Sequence, residues 1–450
     1  MGSAPGYAAA VSTLQRRWVL PLAIFVLSAG VYCATAARRL FQPSTDNHYV
    51  HLANAWLQGR LDIGGDPPGT NDWACFDTVT EGPCPPGRYS FAGPDVERYR
   101  WYVSFPPLPA VLLLPLVAVF GLGSWDVLFW TLFAGLGPAL LFLVLRHLRE
   151  SGRSERSQRD DLLVTTLFAI GSVYYFVAVQ GSVWFAAHVV AVACICLYLL
   201  CSVAARRPAG AGLALGLAFL CRPATLLLVP FFVLQAISLA RDAAPRSSES
   251  EHRLFRTLAI FALPLAALVG AAMWHNAARF GDPLEFGHRL LQIRWRSRIE
   301  TWGLFSTHYL ARNLTVFFLS LPWLIESSPY VLITRHGLAL WFTTPNLAWS
   351  LWPKTVDAMV VALWAAVLPT ALCTLLYQNT GWIQFGYRFS LDYLPLLFVL
   401  VTLSGRRFGV AFLSCAVFAI VVNTFGAVTF DRYPQFYDDD STQRVIFQPD

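Results

Sequence analysis

Asp46, in Ser44-Thr45-Asp46-Asn47-His48-Tyr49, stands just after the first long apolar run of the chain. A carboxylate at a membrane surface, facing a lipid-borne substrate, has the chemistry of a general base. The competing reading is structural: Asp46 opens a short amphipathic helix running through His51, Ala53 and Leu57, and caps its first turn. Position alone leaves both open. His48 and Tyr49 are then substrate-proximal candidates. Arginines inside apolar runs are costly and are usually functional or reach for headgroups. Arg222 precedes Pro223 in a long hydrophobic stretch, which implies a broken helix, or simply a turn between two short spans. Arg388, beside Tyr387 in Gln384-Phe-Gly-Tyr-Arg-Phe389, opens a span; it either anchors that span or holds a phosphate with paired donors. Asp392, one turn on, is a structural partner for Arg388 that would compete with the phosphate role.

Further arginines fall in polar segments. Arg98 and Arg100 alternate with aromatics in Asp95-Val-Glu-Arg-Tyr-Arg-Trp-Tyr102, which an interfacial aromatic belt also explains. Arg279, with His288, Arg289, Arg294, Arg296 and Arg298, forms a basic surface suited to anionic headgroups. His188, His275 and His308 are isolated and read as hydrogen-bonded histidines at helix ends.

The elements that must position these residues are membrane helices. Of 450 residues, 56% are hydrophobic and 13% charged, about half the charge of an ordinary soluble domain. Such a composition excludes a nucleic-acid-binding protein despite the formal charge of +6. Lys354 is the only lysine, so the basic excess is arginine and carries no functional message.

Apolar runs suited to a ~30 Å hydrocarbon layer recur along the chain. They are Trp18–Ala37, Trp125–Leu145, Leu162–Val179, Trp184–Val203, Ala209–Leu220, Ala224–Leu239, Leu258–Trp274, Thr343–Trp352, Asp357–Tyr377, Phe389–Leu403 and Phe408–Phe430. Two of them, Ala209–Leu220 and Thr343–Trp352, are too short to cross unaided. The first follows Arg16-Arg17, lacks a small-residue cleavage site and reads as a retained anchor. Basic connections at Arg146–Arg159, Arg206-Arg207, Arg241–Arg256 and Arg406-Arg407 belong on the cytoplasmic side. These constraints agree if the proline-rich Tyr102–Gly121 is re-entrant or interfacial, with the N-terminus inside and the acidic Asp438-Asp439-Asp440 outside. The expected fold is an all-α polytopic bundle of about eleven, up to thirteen, transmembrane helices. Its first extracytoplasmic loop is large (38–102), and a second spans 279–308.

Seven of the nine cysteines lie in apolar runs and pack as small hydrophobes. Cys75 and Cys84 sit in the first external loop, flanked by Gly and Pro. A disulfide is favoured over metal binding there, because no second close Cys/His pair exists. Arg246-Ser-Ser-Glu-Ser-Glu251 reads as a solvated cytoplasmic loop. No phosphate-binding Gly-rich loop, His-Glu-x-x-His helix or Gly-x-Ser-x-Gly elbow occurs, which argues against an ATP-driven pump or a membrane zinc protease.

Taken in order, several motifs resemble the GT-C superfamily of integral-membrane glycosyltransferases. The similarity is to the polyprenyl- and dolichyl-phosphate-sugar-dependent mannosyltransferases and aminoarabinose transferases. The motifs are Asp-x-x-Tyr-x-x-x-Ala (Asp46, Tyr49, Ala53), Phe-Pro-Pro-Leu-Pro from Phe105, and Gly-Leu-x-x-Gly-Leu-Ala-x-x-x-Arg-Pro from Gly212. Arg-Phe-Gly-Asp-Pro from Arg279 and Gly-Tyr-Arg-Phe from Gly386 complete the set. Each is loose; their order over most of the chain carries the resemblance. It implies transfer of a sugar from a polyprenyl phosphate to a lipid, glycan or protein acceptor on the external face. Asp46 would be the base, and Arg388 a contact to the lipid phosphate, aided by Arg98, Arg100, Arg222 or Tyr387. The expected setting is a bacterial inner membrane, with active site and C-terminus extracytoplasmic. Asn47 follows Asp46 where several relatives have a second acid, so a divalent metal is an open question. Two other classes stay in view, a secondary transporter or lipid flippase and a non-catalytic scaffold; an envelope-polysaccharide polymerase or ligase is a close enzymatic alternative. Polar residues concentrated in external loops, without repeated broken helices, favour the enzyme.

Overall fold

The computed structural model describes residues 6–87, 90, 97–243 and 248–438. Asp95, Val96, Arg246, Ser247, Asp439 and Asp440 lie outside the described residues, and Ser248–Glu251, expected in a solvated loop, instead form the first turn of a long helix. The chain opens with α1 (Gly6–Ala36), followed by α2 (His48–Leu57). A small antiparallel sheet of order β2-β1-β3 comes next, from β1 (Trp73–Asp77), β2 (Gly82–Pro83) and β3 (Tyr99–Val103). Then follow α3 (Leu108–Phe120), α4 (Asp126–Ala134), α5 (Leu136–Glu150), α6 (Gln158–Ile170), α7 (Val173–Ala178), α8 (Val183–Ser202) and α9 (Pro208–Phe219). After them come α10 (Val229–Ala243), α11 (Ser248–Phe280), α12 (Arg296–Trp302) and α13 (Leu310–Phe318). A second sheet, order β4-β5-β6, joins β4 (Trp323–Leu324) and β5 (Val331–Thr334) to β6 (Tyr437–Asp438) near the end of the chain. Between β5 and β6 run α14 (Leu340–Thr343), α15 (Ala358–Leu375), α16 (Leu394–Leu403) and α17 (Val410–Thr429).

Among the described residues, seven helical stretches are long and apolar enough to cross a membrane: Trp18–Phe41, Asp126–Glu150, Val183–Ala205, Pro223–Arg241, Ser248–Phe280, Ala358–Leu375 and Val410–Thr429. The protein is therefore a polytopic membrane helix bundle. The remaining expected spans are ordered but not long helices. Leu162–Val179 divides into α6 and α7 at Gly171-Ser172, where Ser172 Oγ bonds both ways across the break, donating to the Phe168 carbonyl at 2.7 Å and accepting the Tyr174 N–H at 3.2 Å. Thr343–Trp352 is not a regular α-helix: α14 is followed by a 3-10 run, Pro345–Leu351. Its irregular backbone is held by neighbours, as low-dielectric surroundings demand. Asn423 donates to the Thr343 carbonyl and Asn346 to the Phe412 carbonyl, at 2.7 and 2.8 Å.

Hydrogen bonds define two ends of the bundle. At the arginine-rich end, Arg156 donates to the carbonyls of Thr402 and Arg406, tying the connection after α5 to the end of α16. Arg406 donates to the Trp352 carbonyl and the Lys354 N–H to Ser404, so the 340–351 segment arrives at this same end. At its start, Leu338 bridges Gly386 at the opposite end. The segment thus traverses the bundle although it is too short to be a standard span.

The centre is α8, apolar all round and buried on almost every side, as a helix without a polar face must be. Beside it, α9 packs against α11 through Gly212 and Gly216, spaced one turn apart. A methyl group at Gly212 would collide with the Phe261 carbonyl, and one at Gly216 with Leu268. Glycine there lets two backbones approach in an environment where contact, not water exclusion, holds helices together.

The two long polar segments fold onto one another. Cys75 and Cys84 form the expected disulfide. Gln292 donates its N–H to the Trp73 carbonyl, and Arg296 donates to the Cys84 carbonyl, so the 279–308 segment lies against the three-stranded sheet.

Candidate functional site

Asp46 lies between α1 and α2, and its carbonyl accepts the Val183 N–H at 3.1 Å, joining it to the first turn of α8. The helix-capping alternative does not hold: Asn47 occupies the cap position and no side chain bonds the first turn. The carboxylate instead accepts from Thr45 Oγ1 at 3.0 Å and from Asn71 Nδ2 at 3.4 Å. Partial burial raises its pKa above the ordinary 3.8, against the pull of those two donors. It is thus a shielded, more basic carboxylate than a surface aspartate.

Beneath it His48 is fully buried, stacked on Trp73 with ring centroids 4.0 Å apart, its Nε2 2.8 Å from the Asn71 carbonyl. Burial holds it neutral, with a pKa lowered to about 4. His48 is therefore a platform under the Asn71 turn, not a surface ligand. Tyr49 is buried too, its hydroxyl without a hydrogen-bond partner and within the electrostatic reach of Arg222.

The turn carries a residue that sequence reasoning missed. Asp72 has φ +56°, a conformation that Asp tolerates better than most side chains. Its Oδ2 accepts the Trp184 indole N–H at 2.7 Å. Burial raises its pKa; Trp184 and the positive charge of Arg388 oppose the shift, and the charge of Asp46 adds to it. Asp72 is therefore within electrostatic reach of both the Asp46 carboxylate and the Arg388 guanidinium. Asp431 also feels the charge of Asp46, together with those of Arg39 and Arg335. Asp431, Arg335, Trp184 and Tyr377 were also missed. Each lies at the end of an apolar run, where sequence alone does not separate a site residue from an anchor.

Arg388 is 4% exposed, lying over the rings of Phe185 and Phe389 at 5.2 and 5.5 Å. One Nη donates to the Ile383 carbonyl at 2.8 Å, while Nε has no partner. The expected pairing of Arg388 with Asp392 is corrected by the structure. Asp392 is held by Arg222, which grips both carboxylate oxygens at 3.0 and 2.8 Å, and His188 Nδ1 stands 3.4 Å away. The reason is the helix break: α9 ends at Phe219, and Arg222 adopts extended backbone that aims it at the turn before α16. The carbonyls freed by the break are satisfied, Leu220 accepting from the Leu108 N–H and Arg222 from Thr225 Oγ1. His188, expected at a helix end, is thus part of a buried group inside α8.

The other candidates are placed elsewhere. Arg98 forms a two-pronged ion pair with Asp77, at 2.8 and 2.6 Å, holding that carboxyl below its usual range. Arg100 is on the exposed face of β3. Arg279 is buried and clamps α11 to β3, donating to the Val103 carbonyl at 2.6 Å and to Asn276 Oδ1 at 2.8 Å. Tyr387 points inward to Thr374 Oγ1 at 3.2 Å. His275 packs edge-on against Trp56, and His308 stacks on Trp302 at 4.1 Å. His288, expected on a basic surface, is half-buried near Arg222, with a pKa lowered to about 4 chiefly by burial.

Among the described residues no three His, Cys, Asp or Glu side chains gather as a ligand set. Both Asp46 oxygens and one Asp72 oxygen already accept hydrogen bonds.

No protein-family model matches the chain, and no curated protein does. Among solved structures, it is similar to the Archaeoglobus fulgidus oligosaccharyltransferase tethered with an acceptor peptide containing the NVT sequon via a disulfide bond. Identity is 16% and the TM-score 0.45. The match covers 91% of this chain and 55% of that one, so the chain spans about half the length of that protein.

Proposed function

We propose that this protein is a membrane glycosyltransferase of the GT-C type. It moves a sugar from a polyprenyl-phosphate donor to a lipid, glycan or protein acceptor on the extracytoplasmic side of a cell membrane. The observation that carries the reading is the pairing of opposites around Asp72: a shielded carboxylate, Asp46, and a buried guanidinium, Arg388, with no carboxylate within ion-pair distance among the described residues. Arg222 has an anion to bind, and Arg279 several oxygen acceptors. Arg388 keeps part of its donor fork for a ligand.

Transfer is a single displacement. The acceptor oxygen attacks the anomeric carbon, the bond from that carbon to the phosphate oxygen breaks, and its electron pair leaves with the polyprenyl phosphate. The acceptor proton passes to the Asp46 carboxylate. Arg388 offsets the charge that grows on the departing phosphate, where a fixed cation helps most. Attack opposite the leaving group inverts the anomeric centre. Arg222 contributes less than its position suggests, because Asp392 neutralises it.

The test uses protein in nanodiscs with a panel of radiolabelled polyprenyl-phosphate sugars and a crude envelope acceptor extract. Asp46→Asn is expected to lower transfer by about 10²–10⁴ while donor binding persists. Normal transfer by that variant removes Asp46 from the chemistry. Absence of donor binding across the panel by folded wild type refutes the glycosyltransferase reading and favours a transporter.

A further inference from the structure

Gln384 is fully buried just before Arg388, and all of its polar capacity is spent on backbone. Its Oε1 accepts the Arg388 N–H at 2.9 Å. Its Nε2 donates to the His336 carbonyl at 2.7 Å and to the Thr380 carbonyl at 2.8 Å. Its own N–H donates to the Arg335 carbonyl at 2.9 Å. One side chain thus ties together the chain after β5, the turn after α15 and the start of the Arg388 turn.

Room for it is made by two glycines. Gly337 and Gly381 have φ of +92° and +105°, and a methyl group on either would collide with the Gln384 side chain. The next residue in the turn, Phe385, closes the hub by giving its carbonyl to the Leu338 N–H at 2.7 Å. The Arg388 guanidinium is itself anchored to Ile383, the neighbour of Gln384. Ordinary core packing of this turn would need an apolar side chain, not a buried amide with three matched partners.

We infer that Gln384 is a positioning residue for donor binding: it sets the place of Arg388 against the phosphate, and does not itself touch the reacting atoms. This rests on the glycosyltransferase reading and deepens it, by naming what holds the phosphate contact in register. The geometry of a two-donor fork is exacting, and a displacement of an ångström costs on the order of a hundredfold.

The experiment measures donor KM, kcat and thermal midpoint in nanodiscs for Gln384→Met and Gln384→Glu, alone and with Arg388→Met. Binding of polyprenyl phosphate by wild type is the control. Gln384→Met is expected to raise donor KM by about tenfold to a hundredfold with a smaller change in kcat. Gln384→Glu, which keeps the acceptor for the Arg388 N–H, is expected to recover part of that loss. On top of Arg388→Met, neither substitution should cost anything more. A KM within twofold of wild type in folded Gln384→Met overturns the inference, and so does a full additional loss in the Arg388→Met background. Should Gln384→Met fail to fold, a Gln384→Glu variant with unchanged KM overturns it equally. If wild type binds no polyprenyl phosphate, the function reading falls and the inference with it; if it binds and Gln384 is silent, only the inference falls.

Discussion

Replacing Arg388 should separate activity from stability in opposite directions. Its Nη bonded to Ile383 is committed, which leaves Nε and the second Nη for a phosphate. A hydrogen bond to a charged group contributes roughly 1.5–3 kcal/mol. Losing two, in Arg388→Met, therefore costs on the order of 10²–10⁴ in transfer at 1.36 kcal/mol per tenfold. Arg388→Lys keeps a charge but not the fork, so an intermediate loss of about tenfold to a hundredfold follows. The folded protein responds differently. A buried cation with no anion within ion-pair distance carries a desolvation cost of several kcal/mol, which a carboxylate farther off, such as Asp72, only partly offsets. Removing it offsets the lost Ile383 bond, about 1 kcal/mol, and the lost contacts over Phe185 and Phe389. The thermal midpoint of Arg388→Met should hold or rise while transfer collapses. The assay is radiolabel transfer beside scanning fluorimetry on the same nanodisc preparation. A fall of several degrees, with donor KM unchanged in the folded fraction, would show that Arg388 is a structural anchor and refute the reasoning.

Three other perturbations test the scaffold. His48 is neutral when folded, with a pKa of about 4 against an ordinary 6.5. The unfolded chain therefore binds the extra proton first, and stability should fall by at most about 3 kcal/mol as pH drops from 6.5 to 4; a flatter pH–stability profile is expected for His48→Gln, and an unchanged slope would contradict this. Asp392→Asn strips Arg222 of its counter-charge; the cost should fall near or below the low end of the roughly 3–5 kcal/mol typical of broken buried pairs, since Arg222 is 24% exposed, and chemical denaturation can measure it. Gly212→Val places a branched side chain against the Phe261 carbonyl and should sharply lower the yield of folded protein, whereas Gly270→Val, at a glycine with open space around it, should be tolerated.

The helices were legible because a bilayer demands long apolar runs, and each expected run is an ordered stretch. Boundaries that failed did so where tertiary partners replace helix bonds. Nothing in Thr343–Trp352 announces a 3-10 run, because the asparagines that stabilise it, Asn346 and Asn423, act across the bundle. Asp46 and Arg388 could be found, since charge beside an apolar run is conspicuous. Their partners could not. Asp392 lies four residues from Arg388 and 170 from Arg222, yet pairs with the distant one, because helical spacing misleads where the chain is not a regular α-helix. Asp72 was one acid among several in a polar loop. Only the sheet, which fixes Trp73 opposite Val103, brings it under Asp46.

The shortness of α9 and α16 also sets a depth. Twelve and ten residues of α-helix rise only about 18 and 15 Å, against a hydrocarbon layer of ~30 Å. α9 runs from the arginine-rich end toward the Arg222–Asp392 pair, and α16 runs back from the pair to that end. If that end rests at one membrane surface, the pair lies near the mid-plane. On the proposed glycosyltransferase reading, a phosphate headgroup reaching Arg388 must then sink below its neighbours, and an acceptor must be long or flexible enough to follow it. On that reading, bilayer thickness selects substrates as much as any side chain around Arg388.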